Sequence, residues 1–202
     1  MSDRPFLTRQ DEEFQMLLEV AEEYTRQQKE KTAEKKSGDA TEIVIRKHLL
    51  KRGFNVTLKP ELKIQGSNKT INRIDSLLLK PRKNPNEEKY TTDKVDMVIE
   101  IKNNGVAEQT TKIRKKFDEA REISENFRFA VIVLSERLLS RTPYKHAITE
   151  EKLENKKYRV FTLIARRIWD RMYEVPVANR MLENHELWKT GEWEKLLSYL
   201  RE

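Results

Sequence analysis

The chain has 202 residues, of which 37% are apolar and 37% are charged, with a formal net charge of +7 and no cysteine. A charged fraction well above the roughly 25% of an ordinary soluble domain still leaves enough apolar residues for one core of ordinary size. The missing cysteines exclude disulfides and thiolate-bound metals, and the lack of an apolar run of about 20 residues excludes a membrane span.

The basic residues are concentrated in one part of the chain. Residues 44–83 contain eleven basic and two acidic side chains, whereas residues 1–31 contain five basic and eight acidic ones. A positive field of this kind favours a polyanionic partner such as nucleic acid. The alternative is that the lysines cover the solvated faces of a soluble protein. Because the N-terminus is acidic and unlike a signal peptide, we expect a cytoplasmic protein.

The first predicted helix covers residues 11–28, where Phe14, Leu17 and Ala21 recur at helical spacing. A break follows at residues 34–38. We expect residues 1–37 to form a helical arm that packs on the core or on a second copy of the chain.

A second helix is predicted over residues 39–51, and Glu42 within it has two interpretations. With Asp39 as the N-cap, Glu42 completes a capping box. Alternatively, Glu42 lies at the edge of the apolar stripe that includes Ile45 and contributes to a functional site. We interpret His48 in the same helix as a partly buried or surface histidine and not as a ligand.

Three strands are expected next, at residues 54–58, 71–80 and 95–102. Pro60 ends the first strand, and residues 81–92 form the loop of a long hairpin between the other two. In the last strand, apolar side chains alternate with mainly charged ones, so one face is apolar and the other is charged.

The hairpin places two carboxylates opposite each other. If its loop is centred near Glu87 and Glu88, paired positions sum to 175, and Asp75 lies opposite Glu100. Directly opposed residues share one face, with Cβ atoms roughly 4.5–5.5 Å apart. Two carboxylates this close require a cation between them, and Mg²⁺ is the expected ion because it prefers oxygen ligands. Lys102 lies on the same face as Glu100.

A basic helix is predicted over residues 107–124, directly after the charged strand. We expect its basic side chains to meet a phosphate that approaches the acidic site. The residues expected to contact nucleic acid are Arg73, Gln109, Lys112, Arg114, Lys115 and Lys116.

The remaining elements complete the predicted sheet. Residues 127–134 and 158–164 are nearly continuous apolar runs, which indicates buried strands. A helix between two such strands implies a parallel crossover and hence a mixed sheet. In the tail, residues 192–201 are amphipathic, and we expect the nearby tryptophans to pack internally or at a subunit contact.

Asp75, followed by Glu100-x-Lys102 on the neighbouring strand, resembles the catalytic motif of the PD-(D/E)xK nuclease superfamily. The resemblance covers about residues 39–135. It implies an α/β fold of the restriction-endonuclease-like class, with a mixed sheet flanked by helices and an αβββαβ core. We expect this core at residues 38–170, with a C-terminal helical extension at residues 171–202 that packs on the core or on a second subunit.

The same resemblance implies roles for individual residues. Asp75, Glu100 and the main-chain carbonyl of Ile101 would hold Mg²⁺, which Mn²⁺ can replace. Glu42 would bind a second ion or orient a water molecule. Lys102 would position or activate the attacking water.

The sequence therefore predicts a Mg²⁺-dependent endonuclease of restriction or repair type, with DNA favoured over RNA and no membrane partner. A homodimer is one possible assembly. Two alternatives stay open. One is a nucleic-acid-binding protein of the same fold without activity, and the other is an interaction protein in which Glu100 and Lys102 form a simple salt pair.

Overall fold

The computed structural model describes most of the predicted core. The described residues are 5–29, 37–63, 70–71, 74–81, 83–87, 89–104, 115, 118–119, 127–137, 158–167 and 174–202. The helices are α1 (Glu12–Lys29), α2 (Ser37–Lys51), α3 (Val175–Glu183) and α4 (Glu192–Arg201). The strands are β1 (Glu61–Lys63), β2 (Thr70–Ile71), β3 (Ser76–Leu79), β4 (Lys89–Thr91), β5 (Val95–Asn104), β6 (Arg128–Arg137), β7 (Tyr158–Arg166) and β8 (Leu187–Lys189). A 3₁₀ turn, Thr92–Lys94, leads into β5.

The main sheet has five strands in the order β3-β5-β6-β7-β8. Strands β5, β6 and β7 are parallel, whereas β3 and β8 are antiparallel to their neighbours. This arrangement confirms the mixed sheet predicted from the sequence. The two apolar runs form the central and neighbouring strands, as expected for chain segments that are covered on both faces.

Side chains of the central strands alternate between two apolar clusters. On β5, Met97 and Ile99 belong to a cluster that includes side chains of α1, α2, α3 and α4, such as Phe14 of α1 and Trp193 of α4. Val98 instead belongs to a second cluster on the other side of the sheet. Because alternate residues of a strand point to opposite faces, both faces of the sheet are covered.

A short segment before Pro60 extends the main sheet beyond β3. Val56 forms an antiparallel bridge with Leu78, and the Lys59 N–H donates to the Asp75 carbonyl over 3.0 Å. The strand predicted at residues 54–58 is therefore present as a paired edge segment. It ends where Lys59 adopts a left-handed conformation with φ of 47° immediately before the proline.

The prediction of one continuous strand over residues 71–80 is wrong in part. Residues 70–71 form β2 of a separate three-stranded sheet with the order β2-β1-β4, and the main-sheet strand β3 starts at Ser76. The predicted hairpin loop also contains β4, which pairs in parallel with β1. The pairing brings Tyr90 of β4 next to Leu62 of β1, and both side chains are buried in the second apolar cluster.

The N-terminal helix packs on the core of its own chain. Glu12 of α1 accepts hydrogen bonds from Trp193 of α4 at 3.0 Å and from Arg52 after α2. The buried His48 ring lies 2.9 Å from the same Glu12 carboxylate through Nδ1. His48 is thus buried and paired with Glu12, and Trp193 packs internally as expected.

The basic helix predicted at residues 107–124 falls largely outside the described residues. Lys115, Asp118 and Glu119 are described, and all three are helical. Within the described parts of the chain, each helix is too short or too polar to cross a membrane.

Candidate active site

The register of the β3–β5 hairpin sets the geometry of the acidic site. Ser76 pairs with Ile99 and Leu77 pairs with Val98, so paired positions sum to 175 as predicted. Asp75 immediately precedes Ser76, the first residue of β3, at the position that continues this register opposite Glu100. A register shifted by one residue would have turned the charged side chains of β5 toward the opposite face.

Three of the predicted residues meet around a single nitrogen atom. The Lys102 Nζ atom lies 2.7 Å from Asp75 Oδ2 and 3.0 Å from Glu100 Oε2. The Lys102 ammonium also donates to the Ile101 carbonyl over 3.0 Å, and the Ile101 N–H donates to Asp75 Oδ2 over 2.8 Å. The carboxylates of Asp75 and Glu100 therefore converge on one positive charge.

This cluster is largely shielded from water. The Glu100 side chain is fully buried, and the side chains of Asp75 and Lys102 are 13% and 18% exposed. Burial by itself lowers the pKa of Lys102, but the adjacent carboxylates of Glu100 and Asp75 outweigh it and raise this pKa above its usual value. Lys102 is consequently a fixed ammonium in this arrangement, able to donate hydrogen bonds.

Glu42 reaches the same region from helix α2. Its side chain is buried, and burial together with the Asp75 charge raises its pKa to about 7, although Lys59 partly opposes this effect. Because α2 begins at Ser37, Asp39 lies within its first turn and is not the N-cap. The capping-box interpretation of Glu42 therefore does not hold, and the Glu42 carboxyl lies within electrostatic reach of Asp75 and Lys102.

Two charged residues beside Glu42, Asp39 and Lys59, are not predicted from the sequence as site residues. The Lys59 Nζ atom lies 2.5 Å from Asp39 Oδ1 and 3.5 Å from Glu42 Oε2. The sequence marks Asp39 only as a candidate N-cap, and Lys59 belongs to no motif. The signal available in the sequence is indirect: Lys59 lies between the strand predicted at residues 54–58 and Pro60, which ends it.

The oxygen atoms around Lys102 fit a hard divalent cation. The ammonium nitrogen stands in for such an ion, since Asp75 Oδ2, Glu100 Oε2 and the Ile101 carbonyl oxygen all face it. Among the residues that the structure describes, no three acidic or histidine side chains form a metal cage. An ion held here would therefore complete its shell with water and substrate oxygens, as Mg²⁺ commonly does.

Most residues predicted to contact nucleic acid lie outside the described parts of the chain. They are Arg73, Gln109, Lys112, Arg114 and Lys116. Lys115 is described, and its side chain is 79% exposed and 3.9 Å from Glu119 one helical turn away. An exposed ion pair of this kind contributes little to stability. Because its side chain is exposed, Lys115 is accessible to a phosphate.

Comparisons with known proteins identify the fold. No known protein family matches the sequence, and no curated protein is similar enough to match it. Among solved structures, the chain is similar to NucC from E. coli MS115-1 in its cAAA-bound form. The TM-score is 0.57 at 10% identity, over 99% of this chain and 93% of that chain.

A second NucC, from P. aeruginosa ATCC27853 and also in a cAAA-bound form, gives a TM-score of 0.52 at 12% identity. This similarity covers 96% of the chain described here and 92% of that NucC chain. At such low identity the likeness concerns the fold alone. It confirms the predicted restriction-endonuclease-like architecture of a mixed sheet flanked by helices.

Proposed function

We propose that this protein is a metal-dependent nuclease that hydrolyses phosphodiester bonds in DNA. One observation carries the proposal: Asp75, Glu100 and Lys102 converge within hydrogen-bonding distance on adjacent antiparallel strands. Their order and spacing match the motif that the sequence shares with PD-(D/E)xK nucleases. The restriction-endonuclease-like fold supports the same conclusion, although a fold alone does not establish an activity.

Phosphodiester hydrolysis requires a deprotonated water, neutralisation of charge at phosphorus and stabilisation of the leaving oxygen. When bound, Mg²⁺ supplies Lewis-acid polarisation of the phosphate and lowers the pKa of a coordinated water. Asp75, Glu100 and the Ile101 carbonyl would hold the ion. Glu42 would orient a water molecule or bind a second ion from the α2 side.

Lys102 contributes a positive charge that the strand holds in place. Since its pKa is raised by Glu100 and Asp75, Lys102 is suited to donate hydrogen bonds to the attacking water or to a phosphate oxygen. Abstraction of a proton by Lys102 would first require a cation to replace its ammonium between the two carboxylates.

The substrate class follows from charge and site architecture. The chain carries 41 Lys and Arg against 34 Asp and Glu, with the basic excess concentrated in residues 44–83 of the sequence. Contacts from these residues to phosphates would be independent of sequence. We favour DNA over RNA and an endonuclease of restriction or repair type. A homodimer would allow two such sites to act on the two strands of a duplex.

A second candidate is a binding module without activity. It is favoured by the same cluster, because Lys102 already satisfies both carboxylates and could serve as a buried structural ion pair. In that case the charged face would stabilise the hairpin and no ion would bind.

Cleavage assays separate the two candidates. Purified protein should be incubated with supercoiled plasmid, single-stranded DNA and RNA, each with Mg²⁺, Mn²⁺ or EDTA. Asp96→Asn is a matched control, because Asp96 is also a carboxylate on β5. It accepts a hydrogen bond from Arg128 over 2.6 Å and takes no part in the cluster around Lys102. We expect divalent-dependent nicking by wild type and Asp96→Asn and none by Glu100→Gln. Equal activity of Glu100→Gln, or no cleavage by wild type, would contradict the proposal.

A further inference from the structure

Lys59 has an unusual backbone conformation next to the acidic site. Its φ of 47° lies in the left-handed region, which is unfavourable for a residue with a Cβ atom and more so before proline. The Lys59 N–H donates to the Asp75 carbonyl over 3.0 Å, so the strained residue is tied directly to the start of β3. Strain of this kind persists where the surrounding structure imposes it, and it is common at functional sites.

The Lys59 side chain connects this edge of the sheet to helix α2. Its ammonium binds Asp39 at 2.5 Å and lies 3.5 Å from Glu42 Oε2. That Glu42 oxygen is buried and has no hydrogen-bond partner within the described structure. The Lys59 side chain is 53% exposed, which leaves room for its ammonium to turn away from Glu42.

We propose that Lys59 is the exchangeable counter-ion of Glu42, balancing its carboxylate until a divalent ion binds and then turning to a phosphate of the substrate. This inference rests on the proposed nuclease function for its second half. The first half, competition between the Lys59 ammonium and a divalent ion, depends on the ion site alone.

Another lysine of the chain provides a matched comparison. Lys47 binds Glu19 at 2.8 Å and has a side chain 54% exposed, so it matches Lys59 in exposure and in pairing with a carboxylate of another element. Lys47 lies within α2 and has an ordinary helical backbone. A general effect of removing one exposed lysine should therefore appear equally in Lys47→Met and Lys59→Met.

Ion binding is the first test, and it needs no catalysis. Titration of the full chain with Mn²⁺ by calorimetry should show about three- to fivefold tighter binding by Lys59→Met, the size expected for loss of one exposed charge interaction. Lys59→Arg and Lys47→Met should bind Mn²⁺ as wild type does. Unchanged or weaker Mn²⁺ binding by Lys59→Met, with an unfolding midpoint like that of wild type, would overturn the inference.

Nucleic-acid binding is the second test. Affinity for a short DNA duplex, measured in Ca²⁺ at several salt concentrations, should fall for Lys59→Met, with a salt slope shallower by about 0.9. Lys59→Arg should retain the wild-type slope. A slope for Lys59→Met equal to that of wild type would contradict the transfer to phosphate.

The outcomes distinguish this inference from the proposed function. If wild type cleaves nucleic acid but Lys59→Met binds Mn²⁺ and DNA as wild type does, the inference about Lys59 fails and the nuclease proposal stands. If Lys59→Met binds Mn²⁺ more tightly but wild type cleaves no substrate, the nuclease proposal fails and the counter-ion role of Lys59 stands.

Discussion

Lys102 and Asp75 are 27 residues apart in the sequence, and the Lys102 Nζ atom lies 2.7 Å from Asp75 Oδ2. The hairpin register creates this contact, because it continues from Ser76 paired with Ile99 to Asp75 opposite Glu100. The result is a buried group of two carboxylates and one ammonium, with a net negative charge. Such a group is suited to bind a cation, and its energetics lead to testable predictions.

Glu100→Gln should abolish cleavage and leave the fold intact. Gln is nearly isosteric with Glu, so no cavity forms, and Lys102 keeps its contact with Asp75. The loss of one ligand charge should weaken Mn²⁺ binding by at least about tenfold, in line with other changes close to a metal site. Calorimetric titration with Mn²⁺ and a plasmid nicking assay measure the two effects. Asp96→Asn is the control, and wild-type Mn²⁺ affinity in Glu100→Gln would contradict the predicted ligand role.

Local patterns predicted much of this site from the sequence. The alternation along β5 placed Glu100 and Lys102 on one face, and a loop centred near Glu87 was enough to align Asp75 with them. Both inferences use the strict two-residue period of a strand, which fixes a face and a register together.

Features that depend on three-dimensional packing could not be predicted. The contact between Lys59 and Glu42 requires a left-handed residue and a helix that starts at Ser37, and neither has a strong local signal. The residues of β4 belong to a stretch rich in Pro, Asn and charged side chains, a pattern that predicts a loop. The burial of Tyr90 comes from packing against other parts of the chain, and tertiary contacts of this kind override local propensity.

The helix predicted at residues 107–124 should contribute affinity without base preference. Replacing Lys112 and Lys116 together by Ala removes two predicted phosphate contacts, so the slope of log affinity against log salt should become shallower by about 1.8. A double substitution of Lys47 and Lys195 is the control, because both are exposed lysines paired with carboxylates of the chain. Fluorescence anisotropy with DNA duplexes of different sequence measures the slope. An unchanged slope, or a loss confined to one sequence, would contradict the prediction.

Glu13→Gln should stabilise the protein at neutral pH. Glu13 is buried in α1, and burial raises its pKa above the ordinary value of 4.5. As the pH rises above 4.5, the unfolded chain releases this proton before the folded chain does, so ionisation of Glu13 lowers the free energy of unfolding. Below that pH both states are protonated and the cost disappears.

Urea unfolding at several pH values tests the role of Glu13. The Gln variant should be more stable than wild type at about pH 7, and the difference should vanish at about pH 3. Glu194→Gln in the exposed part of α4 is the control and should have little effect at either pH. A stabilisation by Glu13→Gln that is the same at both pH values would contradict the argument.

Lys102→Met should cost about 3–5 kcal/mol of stability in EDTA, because it leaves the buried Glu100 and its neighbour Asp75 without their common cation. Adding Glu100→Gln should recover part of this loss, since one of the two carboxylates that share Lys102 then loses its charge. In a double-mutant cycle, the free-energy changes of Lys102→Met and Glu100→Gln should therefore not add.

Mn²⁺ provides the last part of the Lys102 test. If Asp75 and Glu100 can share a divalent ion, millimolar Mn²⁺ should raise the unfolding midpoint of Lys102→Met more than that of wild type, because ligands that bind the folded state stabilise it. The double variant with Glu100→Gln should respond less. Urea unfolding with Mn²⁺ and with EDTA measures all three proteins. A response to Mn²⁺ that is equal in all three would mean that these carboxylates do not bind the ion, and that Lys102 is their structural partner.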